Sequence, residues 1–252
     1  MSDQLPDAIP AATLIIFREA SDGPPELLMV ERAKAMVFAG GAMVFPGGRI
    51  DPGDHVLAAR LGGGDEEAAR IAAVRETIEE AGLPIGLAEL PSATALIEMR
   101  AALHAGQTLA EALAASDARL DLDQLTPWAR WRPAHANMRI FDTRFYLAEL
   151  PQDAPRASVD QTENVRLVWS TARQVLADAD AGKLAIIYPT RRNLERLAQF
   201  DSFADAAAHA RATPIKTITP FAEQRDGEDH LCIPDDAGYP VTSEAIGNAM
   251  RG

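Results

Sequence analysis

The stretch from Gly64 to Gly82 constrains this chain more than any other part of it. Gly64 and Asp65 open it, Glu66 and Glu67 fill its first turn, and Gly82 closes it with Pro84 just beyond. That is the punctuation of a helix running from near Glu66 to Ala81. At 3.6 residues per turn, Ile71, Val74, Ile78 and Ala81 form one apolar stripe, while Glu76, Glu79 and Glu80 gather opposite it. One face must therefore rest on a core, and the other carries three carboxylates. With Cβ atoms about 5 Å apart, each ionised pair repels by roughly 3 kcal/mol at an effective dielectric near 20. On a solvated face the side chains splay and the repulsion falls to about 0.2–0.5 kcal/mol per pair. A hard divalent cation, Mg2+ or Mn2+, relieves it outright.

Charge narrows the partners. Asp and Glu outnumber Lys and Arg 37 to 24, a formal net charge of -13, which argues against nucleic acid held through Lys and Arg. An anionic small molecule stays compatible, because a bound cation inverts the local field. The single cysteine, Cys232, excludes an internal disulfide and fits a reducing, cytoplasmic compartment. Met1 to Pro10 has no basic region leading into an apolar one, and the apolar run Ala11 to Phe17 is too short to span a bilayer. A soluble protein without a membrane partner is the expectation. The histidines, His55 in the loop before the helix included, show no metal-ligand spacing.

Along the rest of the chain, Thr13 to Phe17 and Glu26 to Glu31 read as a hairpin, and Ala42 to Phe45 as a short strand stopped by Pro46, Gly47 and Gly48. Arg49 to Gly64 reads as a polar loop. From Ile85 to Leu125 the spacing is helical, in segments Ala93 to Ala105 and Leu109 to Ala115, with no strand. Strand character returns at Phe141 to Leu150 and Val165 to Trp169. Helices are expected at Thr171 to Ala181, Thr190 to Gln199 and Phe203 to Arg211. Ile215 to Thr219 and His230 to Ile233 read as a small terminal hairpin turning at Arg225 to Gly227.

Phe45-Pro46-Gly47-Gly48 together with Arg75-Glu76-x-x-Glu79-Glu80-x-Gly82 resembles the box of the Nudix hydrolase superfamily, a glycine-containing loop leading into an acidic helix. Twenty residues separate Asp54 from Arg75 where the family pattern has seven, an insertion of thirteen. Asp54 keeps the spacing of the family's first acid counted from Gly48, and Glu67 keeps it counted back from Arg75, so either can fill that place. Arg32-Ala33, Gly41 and Phe45 to Gly48 are similar to the signature of the coenzyme A diphosphatases, with Val30 and Val37 where that signature has Thr and Arg. Arg139 to Phe145 and Tyr188-Pro189-Thr190 look like the proteins named after nucleoside diphosphate-linked moiety X motif 19.

The resemblance implies an α/β (α+β) fold, an α/β/α sandwich around a mixed sheet. The Nudix domain would span residues 1–185, with insertions at about 55–66 and 85–125, and a C-terminal helical extension, 186–252, would pack on the same domain. It further implies a diphosphatase in which Glu76, Glu79, Glu80 and the Gly48 carbonyl hold Mg2+ or Mn2+. Glu76 or Glu163 would serve as general base and Arg75 would orient Glu79 or Glu76. Gly47, Arg32, Arg49, Arg139 and Arg144 are the candidates for binding substrate phosphates. Trp128, Trp131 and Phe45 either stack on a base or belong to the core. The expected partner is a nucleoside-diphosphate-linked small molecule, coenzyme A or an acyl-CoA foremost, with a homodimer allowed. ADP-ribose or a dinucleotide, a ligand-binding regulator of the same fold and a structural acidic protein are the other readings.

Overall fold

The computed structural model describes residues 8–33, 39–133, 140–159, 164–225 and 227–249; Arg139 and Glu163 lie outside them. The first half of the chain forms β1 (Ile9–Arg18), β2 (Glu26–Arg32), β3 (Met43–Val44), β4 (Gly47–Arg49), α1 (Pro52–Arg60), α2 (Asp65–Ala81), α3 (Ala93–His104) and α4 (Leu109–Ser116). The second half forms β5 (Thr126–Trp131), β6 (Phe141–Glu149), β7 (Asn164–Thr171), α5 (Ala172–Asp180), α6 (Tyr188–Leu197) and α7 (Phe203–Ala212). The elements β8 (Thr217–Ile218), β9 (Phe221–Arg225), β10 (Glu228–Cys232), β11 (Ser243–Ala245) and α8 (Ile246–Ala249) complete it.

β1 is the axis. Its run Leu14, Ile15, Ile16, Phe17 is apolar at every position, and all four side chains are buried, as befits a strand covered on both faces. Leu14 and Ile16 enter one core cluster while Ile15 and Phe17 enter the other, because successive side chains on a strand point to opposite faces. The first cluster is closed by α1, α2, α3 and α4 through residues such as Ala58, Ile71, Val74, Met99 and Leu113. The second is closed by α5, α6 and α7 through Val175, Leu194, Leu197 and Ala206. Helices on both faces of a mixed sheet make the expected α/β/α sandwich. Each fully buried Leu or Ile stabilises it by roughly 1.5–3 kcal/mol relative to exposure.

The sheet topology creates the opening for a site. β2 pairs with β1 only at Leu27 and Glu26, then leaves it to pair antiparallel with β3, while β7 runs antiparallel along its other edge from Glu26 to Arg32. The vacated edge of β1 is taken by β4, whose Gly47, Gly48 and Arg49 lie opposite Thr13, Ala12 and Ala11. On its other edge β1 runs parallel to β6, followed by β5 antiparallel and β8 parallel. Glycine is required at the β4 entry: Gly47 has φ +156, and a Cβ there would stand 2.4 Å from the Ala12 carbonyl oxygen.

Several expectations need correction. The segment read as a polar loop between Arg49 and Gly64 holds α1, started by Pro52 in the first turn and by the Asp51 N–H donating to Asp54 Oδ2 at 2.9 Å. β5 was not expected at all; Pro127 masks it, and the structure accommodates that proline with a register shift between Pro127 and Ala129. The terminal hairpin is β9 with β10, while Thr217 and Ile218 join the main sheet instead. The C-terminal part is thus helical only in part, since β9, β10 and β11 form a separate three-stranded sheet. Among the described residues no helix is long and apolar enough to cross a membrane.

Candidate active site

α2 crosses the sheet with Ile71, Val74, Ile78 and Ala81 fully buried, as the stripe requires. Its acidic side is not the solvated face that charge alone would suggest. Glu80 is 4 % exposed and Arg75 6 %, and the glutamates are held by named partners. Glu80 Oε2 accepts from the Gly47 backbone N–H at 2.9 Å, and Oε1 accepts from Asn164 Nδ2 at 2.9 Å. Glu76 packs against Gly48 so closely that a Cβ on that glycine would lie 2.3 Å from Glu76 Oε1. The glycine bend and the acidic helix are therefore one unit.

Arg75 organises the rest. Its Nε and Nη2 donate to Asp54 at 3.1 and 2.9 Å, Nη1 donates to Glu76 Oε1 at 2.8 Å and Glu79 Oε1 at 3.3 Å, and Nη2 also donates to the Arg49 carbonyl at 2.8 Å. Burial opposes charge on Arg75, yet the bond to Asp54 and the charges of Glu76, Asp54 and Glu79 together raise its pKa above the ordinary Arg value. Burial is also the main force on Glu76, pushing it up to about 8 against the pull of Arg75, with the charges of Glu80 and Glu79 adding to the rise. Glu79 is raised too, by burial first, with Arg75 opposing.

Of the two candidates for the first acidic position, Asp54 meets Arg75 and is 2 % exposed. Glu67 instead accepts from the Gly64 N–H at 2.7 Å as a helix cap, in the open. Asp54→Asn is expected to lower the melting temperature clearly, whereas Glu67→Gln should leave it within about 2 °C of the parent. Thermal melts of the two variants check this, and the reverse order would exchange their assignments.

The remaining sequence candidates divide. Arg32 ends β2 at a register shift opposite Asn164, the residue that holds Glu80. Arg49 has an exposed side chain, and its backbone carbonyl is what meets Arg75. Arg144 stands two strands from Gly48, beside Glu66 at 3.3 Å. The base-stacking reading of Trp128, Trp131 and Phe45 is overturned, as all three are at most 3 % exposed within the second core. Trp128 Nε1 donates to Asn193 Oδ1, Trp131 Nε1 donates to the Tyr239 hydroxyl, and the Arg196 guanidinium covers Trp128 at 3.6 Å from the ring centre. Asn164 was not anticipated, because nothing in the linear sequence relates it to Glu80.

Among the described residues no three acidic, histidine or cysteine side chains stand arranged around a common metal position; Glu76 and Glu79 each turn an oxygen onto Arg75 instead. The donor set nevertheless suits a hard divalent cation. Its members are carboxylate oxygens on one helix, the burial of Glu76 and the charges of Glu80 and Glu79 beside it are what a bound cation would offset, and the side-chain-free Gly48 lies against Glu76.

A mixed sheet between helical layers, with a glycine bend bonded to the acidic turn of a crossing helix, is a Nudix-like fold. Sequence and structural neighbours agree. "Putative nudix hydrolase 7" of Caenorhabditis elegans is 29% identical over 224 residues, covering 84% of this chain and 69% of that protein. The crystal structure of a NUDIX hydrolase from Alicyclobacillus acidocaldarius superposes with a TM-score of 0.71 at 29% identity, covering 80% of this chain and 96% of that one. No family model matches the chain. The Nudix hydrolase superfamily is supported by both relatives, and the chain is consistent with a Nudix-type pyrophosphatase.

Proposed function

We propose that this chain is a divalent-metal-dependent diphosphatase that hydrolyses the diphosphate linkage of a nucleoside-diphosphate-linked small molecule, with coenzyme A or an acyl-CoA as the substrate class. The observation that carries the reading is the bond from the Gly47 N–H to Glu80 at 2.9 Å. It joins the glycine bend to the acidic turn of α2, so that the Gly48 backbone lies directly against the carboxylates suited to holding the cation.

In this reading Glu76, Glu79 and Glu80 hold Mg2+ or Mn2+, with the Gly48 carbonyl as a further oxygen donor. The cation, when bound, supplies positive charge against the phosphate oxygens. Arg75 keeps Glu76 and Glu79 oriented while its fork stays fixed on Asp54. Glu76 or Glu163 removes the proton from the attacking water. Arg32 and Arg49 bind the diphosphate beside the bend, since the guanidinium fork matches phosphate oxygens, whereas the Gly47 N–H is already spent on Glu80.

The coenzyme A reading draws on Arg32-Ala33, Gly41 and the Phe45 to Gly48 run. A panel of diphosphate-linked metabolites incubated with Mg2+ or Mn2+ and resolved by mass spectrometry tests activity and substrate together. Coenzyme A is expected to give a phosphopantetheine species and a 3′-phosphorylated AMP. Cleavage of ADP-ribose to AMP and ribose phosphate, with coenzyme A intact, would replace the substrate class. Cleavage that needs no metal would remove the cation from the reading, and absent cleavage across the panel would remove the enzyme reading.

A further inference from the structure

Away from the glutamates, the row of residues paired across the sheet continues from Gly48 through Ala12 to Arg144 and Arg130. With strands about 4.8 Å apart, Arg144 lies about 10 Å from Gly48. A cavity of about 330 Å³ opens there between the first turns of α2 and the edge formed by β5, β6 and β8. Among its lining residues are Arg70, Arg130, Arg144, Glu66 and Tyr146. In a chain with net charge -13, three arginines converging on one hollow need a reason.

Their internal partners do not satisfy them equally. Arg130 is fixed, donating to both oxygens of Asp142 at 2.7 and 2.6 Å. Arg144 and Arg70 share a single carboxylate, Glu66, at 3.3 and 3.7 Å respectively. The Arg70 Nε, closed off from solvent, has no hydrogen-bond partner among the described residues. Glu66 is also claimed by the Tyr146 hydroxyl, which donates to its Oε1 at 2.8 Å. One half-exposed carboxylate thus serves two arginines and a phenol, and a dianion with three acceptor oxygens would serve them better.

We propose that this cavity binds a phosphomonoester, the remote phosphate of a substrate whose diphosphate rests at the Gly47–Gly48 bend. The proposal deepens the diphosphatase reading and takes its second anchor from it. The separation of about two strands is one that a nucleoside bridges, and the cavity volume lies at the small end of the range for small-ligand pockets, about 300–1,000 Å³. Glu66 acts as the stand-in anion that the phosphate displaces, and Arg130 on Asp142 forms the fixed wall.

Calorimetric titration of the full chain without divalent metal, using adenosine 3′,5′-bisphosphate and AMP as probes, tests the cavity apart from turnover. The bisphosphate is expected to bind at least about tenfold more tightly. That advantage should vanish in Arg144→Gln and in Arg70→Gln. Glu66→Gln, which removes the competing charge but keeps an acceptor for Tyr146, should strengthen bisphosphate binding, a gain that a misfolded variant cannot show. Equal affinity for the two nucleotides, or an advantage that survives both arginine substitutions, would overturn the cavity assignment and leave any diphosphatase activity standing. Bisphosphate preference in a chain that cleaves no diphosphate would support the cavity and remove the enzymatic reading instead.

Discussion

Glu79→Gln is expected to reduce Mg2+-dependent turnover at least 100-fold while the melting temperature stays within about 2 °C of the parent. Loss of an outer partner of a metal ligand costs about 10–100-fold, and Glu79 is assigned as a ligand itself, so its loss should exceed that range. The fold should tolerate the change: Glu79 keeps a quarter of its side chain exposed, and a Gln oxygen can still accept from Arg75. Glu80→Gln should lose as much activity with a visible stability cost. Both Glu80 oxygens accept hydrogen bonds, from Gly47 and from Asn164, and an amide must turn its own N–H2 toward one of those donors. Steady-state rates at saturating Mg2+ beside thermal melts decide the matter. Unchanged rates in both variants would end the assignment of the acidic turn.

Arg75→Met is expected to destabilise the protein by about 3–5 kcal/mol, the effect of removing one partner from a buried ion pair. At roughly 2–4 °C per kcal/mol for a chain of this size, the melting temperature should fall by on the order of 10 °C. The change leaves Asp54, 2 % exposed, without its counter-ion, and frees the Arg49 carbonyl and the Glu76 carboxylate at once. Arg75→Lys should fall between the two, since an ammonium restores the charge but cannot span Asp54 and Glu76 with one planar group. A melt of Arg75→Met within about 2 °C of the parent would show that Arg75 and Asp54 do not tie α1 to α2.

The two predictions draw on different kinds of information. The nomination of Glu79 and Glu80 as candidate site residues came from spacing, because helical periodicity is local and the glycines at both ends announce the limits of α2. The role of Asp54 was not. Spacing left it level with Glu67, and the choice followed only when α1 folded back so that Arg75 could reach across the insertion. α1 itself was hidden by its Pro52-Gly53 start, which reads as a turn even though proline is favoured in the first turn of a helix. β5 was hidden in the same way by Pro127, and the three-dimensional pairing with β6 and β8 supplied what local preference withheld.

By itself the sequence determined the acidic helix, the glycine bend before it, the apolar strand at Thr13 to Phe17 and much of the order of strands and helices, all of which follow from contacts among near neighbours. Only the tertiary structure decided that Asp54 rather than Glu67 meets Arg75, that Asn164 holds Glu80, that Trp128 and Trp131 are core, and that Arg70, Arg130 and Arg144 share one cavity. Each of those depends on groups brought together from distant parts of the chain. Such meetings are set by how the sheet and its two helical layers close on one another, and no spacing along the chain encodes them.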